Sequence, residues 1–130
     1  MGERRFAPIR SNVCGEPNMR SSDLFQAFAD PTRLRLLGLL GAQKELCVCD
    51  LCAVLGESQP KVSRHLGVLR RVGLVDVRRD GKWKFYSLVG ATSPLHRTLL
   101  RCVRSCLGGI DELIEDRTRM RGLALRVRCR

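Results

Sequence analysis

Nowhere does this chain carry a run of about 18 apolar residues, the length a membrane-crossing helix requires. Nor does its N-terminus hold the apolar stretch that heads a secretory signal. These two absences lead us to expect a cytoplasmic protein with no membrane partner, in a compartment where thiols stay reduced. Acidic residues are scarce too: 13 Asp and Glu stand against 24 Lys and Arg, a net charge of +11. An excess of that size implies an anionic partner, with nucleic acid first. No Gly-rich loop follows any cysteine, which argues against a thiol enzyme that cradles an oxyanion. No internal repeat is visible, and nothing calls for an organic cofactor.

Cysteine, in contrast, is plentiful. The chain has seven, an odd number, so they cannot all pair within one chain. Three of them crowd into Glu45-Leu46-Cys47-Val48-Cys49-Asp50-Leu51-Cys52. The chain's 130 residues and 44% apolar content suit one compact domain, or one protomer of a dimer.

Residues 1–20 mix Arg, Gly, Pro, Asn and Ser without periodicity, and read as a mobile arm holding Cys14. A folded domain is expected over 21–116. Ser21 or Ser22 can cap a first helix carrying Leu24, Phe25, Ala27 and Phe28. Asp30-Pro31 starts a second, with an Asp cap and a proline where the missing N–H costs nothing. Leu34, Leu37 and Leu40 give it a core face, leaving Arg33 and Arg35 to point outward. Past the cysteines, Leu51, Val54 and Leu55 make one face of a short helix that Gly56 ends. Ser58 caps another, over Gln59–Val72, in which Val62, Leu66, Leu69 and Val72 recur at helical spacing. Two short helices about a tight Gly-Glu-Ser turn have the layout of a helix-turn-helix.

The period then changes from helix to strand. Val75 and Val77 alternate with polar residues, Asp80-Gly81 signals a two-residue hairpin turn, and Trp83, Phe85 and Tyr86 supply the returning strand. A basic hairpin directly behind a helix-turn-helix is a wing. Ser93-Pro94 opens a last helix striped by Leu95, Leu99, Cys102, Cys106, Ile110 and Leu113, and Gly108-Gly109 is placed to kink it. The stripe is wider than one small core needs, so a dimer seam between terminal helices is expected. From Arg117 to Arg130 the Arg-rich chain reads as a solvated tail. The expected class is mainly α with a β-hairpin wing: a winged helix-turn-helix that dimerises through its terminal helices.

In such a fold the second helix of the pair enters the major groove. Gln59, Lys61, Ser63 and Arg64 have the chemistry to read base edges, with His65 and Arg70 beside them. Arg79, Lys82 and Lys84 on the wing would neutralise phosphates and set register.

The spacing Cys47-x-Cys49-x-x-Cys52 is not that of a zinc finger. Residues two apart on a helix point to nearly opposite sides, so Cys47 and Cys49 can both meet Cys52 only if the first turn is extended or unwinds. Asp50, a good cap, would leave both ahead of the helix proper. Three thiolates without a fourth ligand suit a soft pyramidal ion, As(III) or Sb(III). Buried packing of small thiols is the bland alternative.

Three stretches together, Phe28-Ala29-Asp30-Pro31-Thr32-Arg33-Leu34-Arg35-Leu36-Leu37, the cysteine box, and Ser58-Gln59-Pro60-Lys61-Val62-Ser63-Arg64-His65-Leu66, resemble the ArsR/SmtB family of metal-responsive repressors. The likeness extends over roughly residues 22 to 115, and the box is similar to that of the family's arsenical repressors. The resemblance implies a homodimer that binds a palindromic double-stranded operator, represses an arsenic-resistance operon, and is released when As(III) or Sb(III) binds Cys47, Cys49 and Cys52. Two departures bring alternatives. The family's Cd/Pb sensors complete a four-sulfur site with N-terminal thiols; Cys14 is similar, but stands alone in the arm. Other members, including ones tuned to trivalent antimony or methylated arsenic, place the inducer site on terminal helices, as Cys102 and Cys106, four apart, would allow. A Cd(II), Pb(II) or Zn(II) sensor of the same fold, and, in a different class, a thiol-based metal-storage or redox protein, complete the field.

Overall fold

The computed structural model describes residues 20–106 and 109–126. Helix α1 (Ser21–Phe28) begins after Arg20 rather than being capped by Ser21 or Ser22. The backbone N–H of Arg20 donates to the carboxylate of Asp23, 3.1 Å away. Asp30 caps α2 (Pro31–Ala42) as expected, its side chain accepting from the Arg33 N–H at 3.0 Å. A two-residue strand β1 (Leu46–Cys47) leads directly into α3 (Val48–Leu55). Gly56, at a left-handed φ of 69°, turns the chain toward α4 (Gln59–Arg71). Strands β2 (Val75–Asp80) and β3 (Trp83–Leu88) form the wing, followed by α5 (Pro94–Arg101), a wider π-helical turn (Cys102–Cys106) and α6 (Asp111–Arg126).

The fold is the expected winged helix-turn-helix, mostly helical with a small antiparallel sheet. Strand order is β1-β3-β2, with β1 paired to the wing through Leu46↔Tyr86 and Cys47↔Phe85. The third strand was not anticipated. In the hairpin, Asp80 pairs with Trp83, so the turn residues are Gly81-Lys82, one step later than Asp80-Gly81; Gly81 takes the positive φ. Leu36, Leu37, Leu39, Leu40, Leu51, Leu66, Leu69 and Leu74 fill the core. Gly38 lets α6 approach α2 closely: a Cβ there would sit 2.7 Å from the Leu113 side chain.

Arg33 and Arg35 do not point outward. Arg33 folds back on α1, donating to the carbonyls of Ala27 (2.9 Å) and Gln26 (3.0 Å), which lie among the orphan acceptors at that helix's end. Arg35 grips Asp116 of α6 with two bonds of 2.9 and 2.8 Å. Asp116 is only 1% exposed and also accepts from Arg119 at 2.7 Å, while Arg119 Nε donates to the Val54 carbonyl of α3 at 3.0 Å. This carboxylate thereby ties together α2, α3 and α6. It also explains why the chain stays helical well past Arg117, where an aperiodic tail was expected. Leu113, Asp116, Met120 and Leu123 recur at helical spacing, and Leu113, Asp116 and Met120 are buried, but the stripe contains a charge and so does not read as apolar. The stripe expected from Leu95 to Leu113 divides as well. Leu100, Val103 and Leu113 turn inward, Leu95, Leu99 and Cys102 are half-buried, and Ile110 is exposed, as is Ile114 beyond it.

Cys14, Cys129 and the arm apart from Arg20 lie outside the described residues, as do Leu107, Gly108 and the side chain of Cys106. Among the described residues no helix is long and apolar enough to cross a membrane.

His96 on α5 is buried, accepts the Thr92 N–H on Nδ1 at 3.2 Å, and has no partner for Nε2 among the described residues. Burial pushes its pKa down from the usual histidine value.

Two outcomes follow from this packing. Removing the carboxylate in Asp116→Ala strands the largely buried Arg35 guanidinium and is expected to cost about 3 kcal/mol, read as a lower urea midpoint at unchanged m. Since His96 is held neutral, its contribution to stability is complete above its unfolded pKa of about 6.5 and drains away as pH falls toward the lower folded value. The urea midpoint should therefore drop as the pH falls below about 6.5, and drop less in His96→Asn.

Candidate nucleic-acid interface and thiol site

Helix α4 is presented as a DNA-reading helix would be. Ser58 accepts the Lys61 N–H at its start, Pro60 occupies the first turn, and Val62, Leu66 and Leu69 are fully buried against the domain. With that face docked, Gln59, Arg64, Arg70 and Arg71 are exposed, while Lys61, Ser63 and His65 are half-buried. Lys61 pairs with Glu57 one turn back, at 3.1 Å. His65 is held on the protein side: its Nδ1 accepts from Arg33 at 3.3 Å and lies 3.8 Å from Asp30. Burial lowers the His65 pKa, with Asp30 opposing and the surrounding Arg33, Arg64 and Lys61 charges adding to the drop. For Asp30, burial works against the charged carboxylate but is outweighed by the Arg33 N–H bond and the His65 and Arg33 charges, so its pKa is lowered.

On the wing, Arg79 and Lys82 are exposed at the tip and Lys84 is half-buried on the returning strand. The Lys82 ammonium lies 5.3 Å from the Trp83 ring. Arg78 is held differently, with two 2.9 Å bonds to Glu45 and its guanidinium 4.7 Å from the Phe85 ring centroid. The hydrogen bond from Arg78 holds the Glu45 carboxyl below its usual range.

The box occupies the seam between sheet and helix. Cys47 ends β1 and is the residue before α3, 1% exposed; Cys49 is in the first turn and exposed; Cys52, three residues on, is half-buried. The helix thus starts earlier than an Asp50 cap would put it. Pairing of Leu46 and Cys47 with β3 fixes where the strand stops, and Asp50 falls in the first turn instead. Burial pushes the Cys52 thiol up, and the neighbouring Cys49 and Cys47 push it further. Among the described residues, however, no three Cys, His, Asp or Glu side chains are gathered closely enough to hold a metal ion. The donor chemistry fits a soft ion, whereas the observed geometry does not gather the donors.

Cys102, half-buried, and Cys106 are the first and last residues of the π-helical turn, whose i→i+5 bonding widens the backbone there. Sequence reasoning missed the Glu45–Arg78 pair, the Arg33 clasp and the Asp116 network. Each joins one element to another, the Glu45–Arg78 and Arg35–Asp116 pairs across 33 and 81 residues, for which no local periodicity gives a signal.

Known proteins fit this architecture. Residues 30–77 match the family model described as bacterial regulatory protein, arsR family. The chain is 55% identical over 65 residues to the arsenical resistance operon repressor of Escherichia coli K12, covering 50% of this chain but only 56% of that repressor. It is 36% identical over 86 residues to a Staphylococcus aureus homolog of the cadmium resistance regulatory protein CadC, covering 66% of this chain and 71% of that one. Among solved structures it is similar to HlyU from Vibrio cholerae, with a TM-score of 0.57 and 32% identity over 66% of this chain and 89% of that one. These relatives are regulators rather than enzymes, and in fold and sequence alike the chain belongs to the ArsR family of bacterial regulatory proteins.

Proposed function

We propose that this protein is a metalloid-responsive transcriptional repressor. It binds operator DNA as a homodimer and lets go when As(III) or Sb(III) is captured by Cys47, Cys49 and Cys52. The observation that carries this reading is the position of the box: the three thiols straddle the start of α3, whose Leu51, Val54 and Leu55 are buried in the same core as Val62, Leu66 and Leu69 of α4. Opening the first turn to gather the thiols would disturb the helix on which the DNA-reading helix leans. The likeness to the Escherichia coli arsenical resistance repressor supports the choice of ion.

DNA contact falls to Gln59, Lys61, Ser63, Arg64 and Arg70 on α4, with Arg79, Lys82 and Lys84 on the wing and His65 steadying the helix from behind. The exposed apolar side chains Phe25 (54%), Ile110 (40%) and Ile114 (41%) are the surface a second copy would cover. A shallow groove lined by Phe28, Pro31, Leu34, Ile110 and Leu113 adjoins them.

A cadmium-type response is the second reading, supported by the Staphylococcus aureus relative. Proton balance separates the two. As(OH)3 and three thiols give a trithiolate and three waters with no net proton exchanged, whereas a divalent ion displaces a proton from every thiol it takes. Between about pH 6 and about pH 8, Cd(II) affinity should rise about tenfold per unit for each proton displaced, while arsenite affinity stays nearly flat; competition titrations measure both.

The deciding experiment is operator release. Arsenite is expected to weaken DNA binding roughly 5- to 150-fold in the wild type and to leave Cys47→Ser/Cys49→Ser bound, as read by fluorescence anisotropy. Release of the double variant at the wild-type arsenite concentration would refute the box as sensor.

A further inference from the structure

Cys47 is not only the first thiol of the box. It is also one rung of a ladder that runs straight across the sheet: Cys47 opposes Phe85, and Phe85 opposes Arg78. Directly opposed residues of antiparallel strands project to the same face, and Glu45, two residues before Cys47, shares that face. There Glu45 and Arg78 close a bidentate ion pair over the Phe85 ring. The pair reaches from the flank of β1 to β2 and bridges β3, joining the box to the wing independently of the ladder.

We infer that Glu45 and Arg78 are positioning residues that make the thiol-bearing strand and the wing move as one piece, so that ion capture at Cys47 reaches DNA through the wing as well as through α3. This inference rests on the thiol-sensor reading above. The two-residue β1 meets β3 in two residue pairs, and the ion pair adds a tie that reaches past β3 to β2. With it, a shift at Cys47 carries β2, and with β2 the basic tip at Arg79 and Lys82. The pair is half-open to solvent, its side chains 54% and 34% exposed. Exposed pairs of this sort add little to stability, so what the pair supplies is connection.

The chain carries a built-in reporter. Its single tryptophan, Trp83, lies on β3 two residues before Phe85, beside the turn. Full-length wild type and Glu45→Gln are titrated with arsenite while three signals are followed: near-ultraviolet thiolate absorption for ion capture, Trp83 emission for the wing, and anisotropy of a labelled duplex selected from a random pool for DNA release. In the wild type all three should change together. Glu45→Gln should take up arsenite with the same stoichiometry yet lose the Trp83 response. Its ratio of DNA affinity without and with arsenite should fall by up to about fivefold below the wild-type ratio.

A Glu45→Gln protein with the full emission change and the full ratio overturns the inference and leaves the box as sensor intact. A wild type with no thiolate band and no release overturns the sensor reading itself, and this inference with it.

Discussion

A single carboxylate organises the interior. Asp116 sits almost completely out of water between the guanidiniums of Arg35 and Arg119, and Arg119 passes the contact on to the Val54 carbonyl. A buried negative charge is tolerable only when its lone pairs are met by donors and its charge by cations, and here three helices converge to do so. The position of α3 over α4 follows from that arrangement, because the helix bearing the cysteines is held against the terminal helix at one end and the recognition helix along its side. Packing of Leu51, Val54 and Leu55 then completes what the ion network begins.

Much of this was legible beforehand. Asp30-Pro31, Ser58 with Pro60, and Ser93-Pro94 are cap-and-proline starts whose chemistry is local, and each begins a helix where it should. Gly56 ends α3 because only a residue tolerant of positive φ turns so tightly there. Three features were illegible for physical reasons. A two-residue strand is too short to show alternation, so β1 could not be seen, and Asp50 looked like the cap. A helix face that buries Asp116 breaks the apolar count, and α6 past Arg117 read as tail. Arg33 and Arg35 looked solvated because their partners lie in other helices, α1, α4 and α6, one of them 81 residues away.

The same holds for the thiol site. Its residues were identifiable by type and crowding, but their disposition was not. Cys47 belongs to a sheet and Cys49 and Cys52 to a helix, so the three are near one another without being gathered. An ion drawn to all three would have to deform the junction between sheet and helix, and only the surplus over the deformation would appear as affinity.

The bond from Arg119 to the Val54 carbonyl has one more implication. It grips α3 near its last turn, where the helix dipole is negative and a guanidinium is welcome. The opposite end of α3 follows directly from β1, which the sheet holds, and Glu45 beside it is paired with Arg78 of the wing. In mechanical language α3 is anchored by a guanidinium at one end and by a sheet at the other, and the cysteines lie at the end whose anchor is shared with the wing.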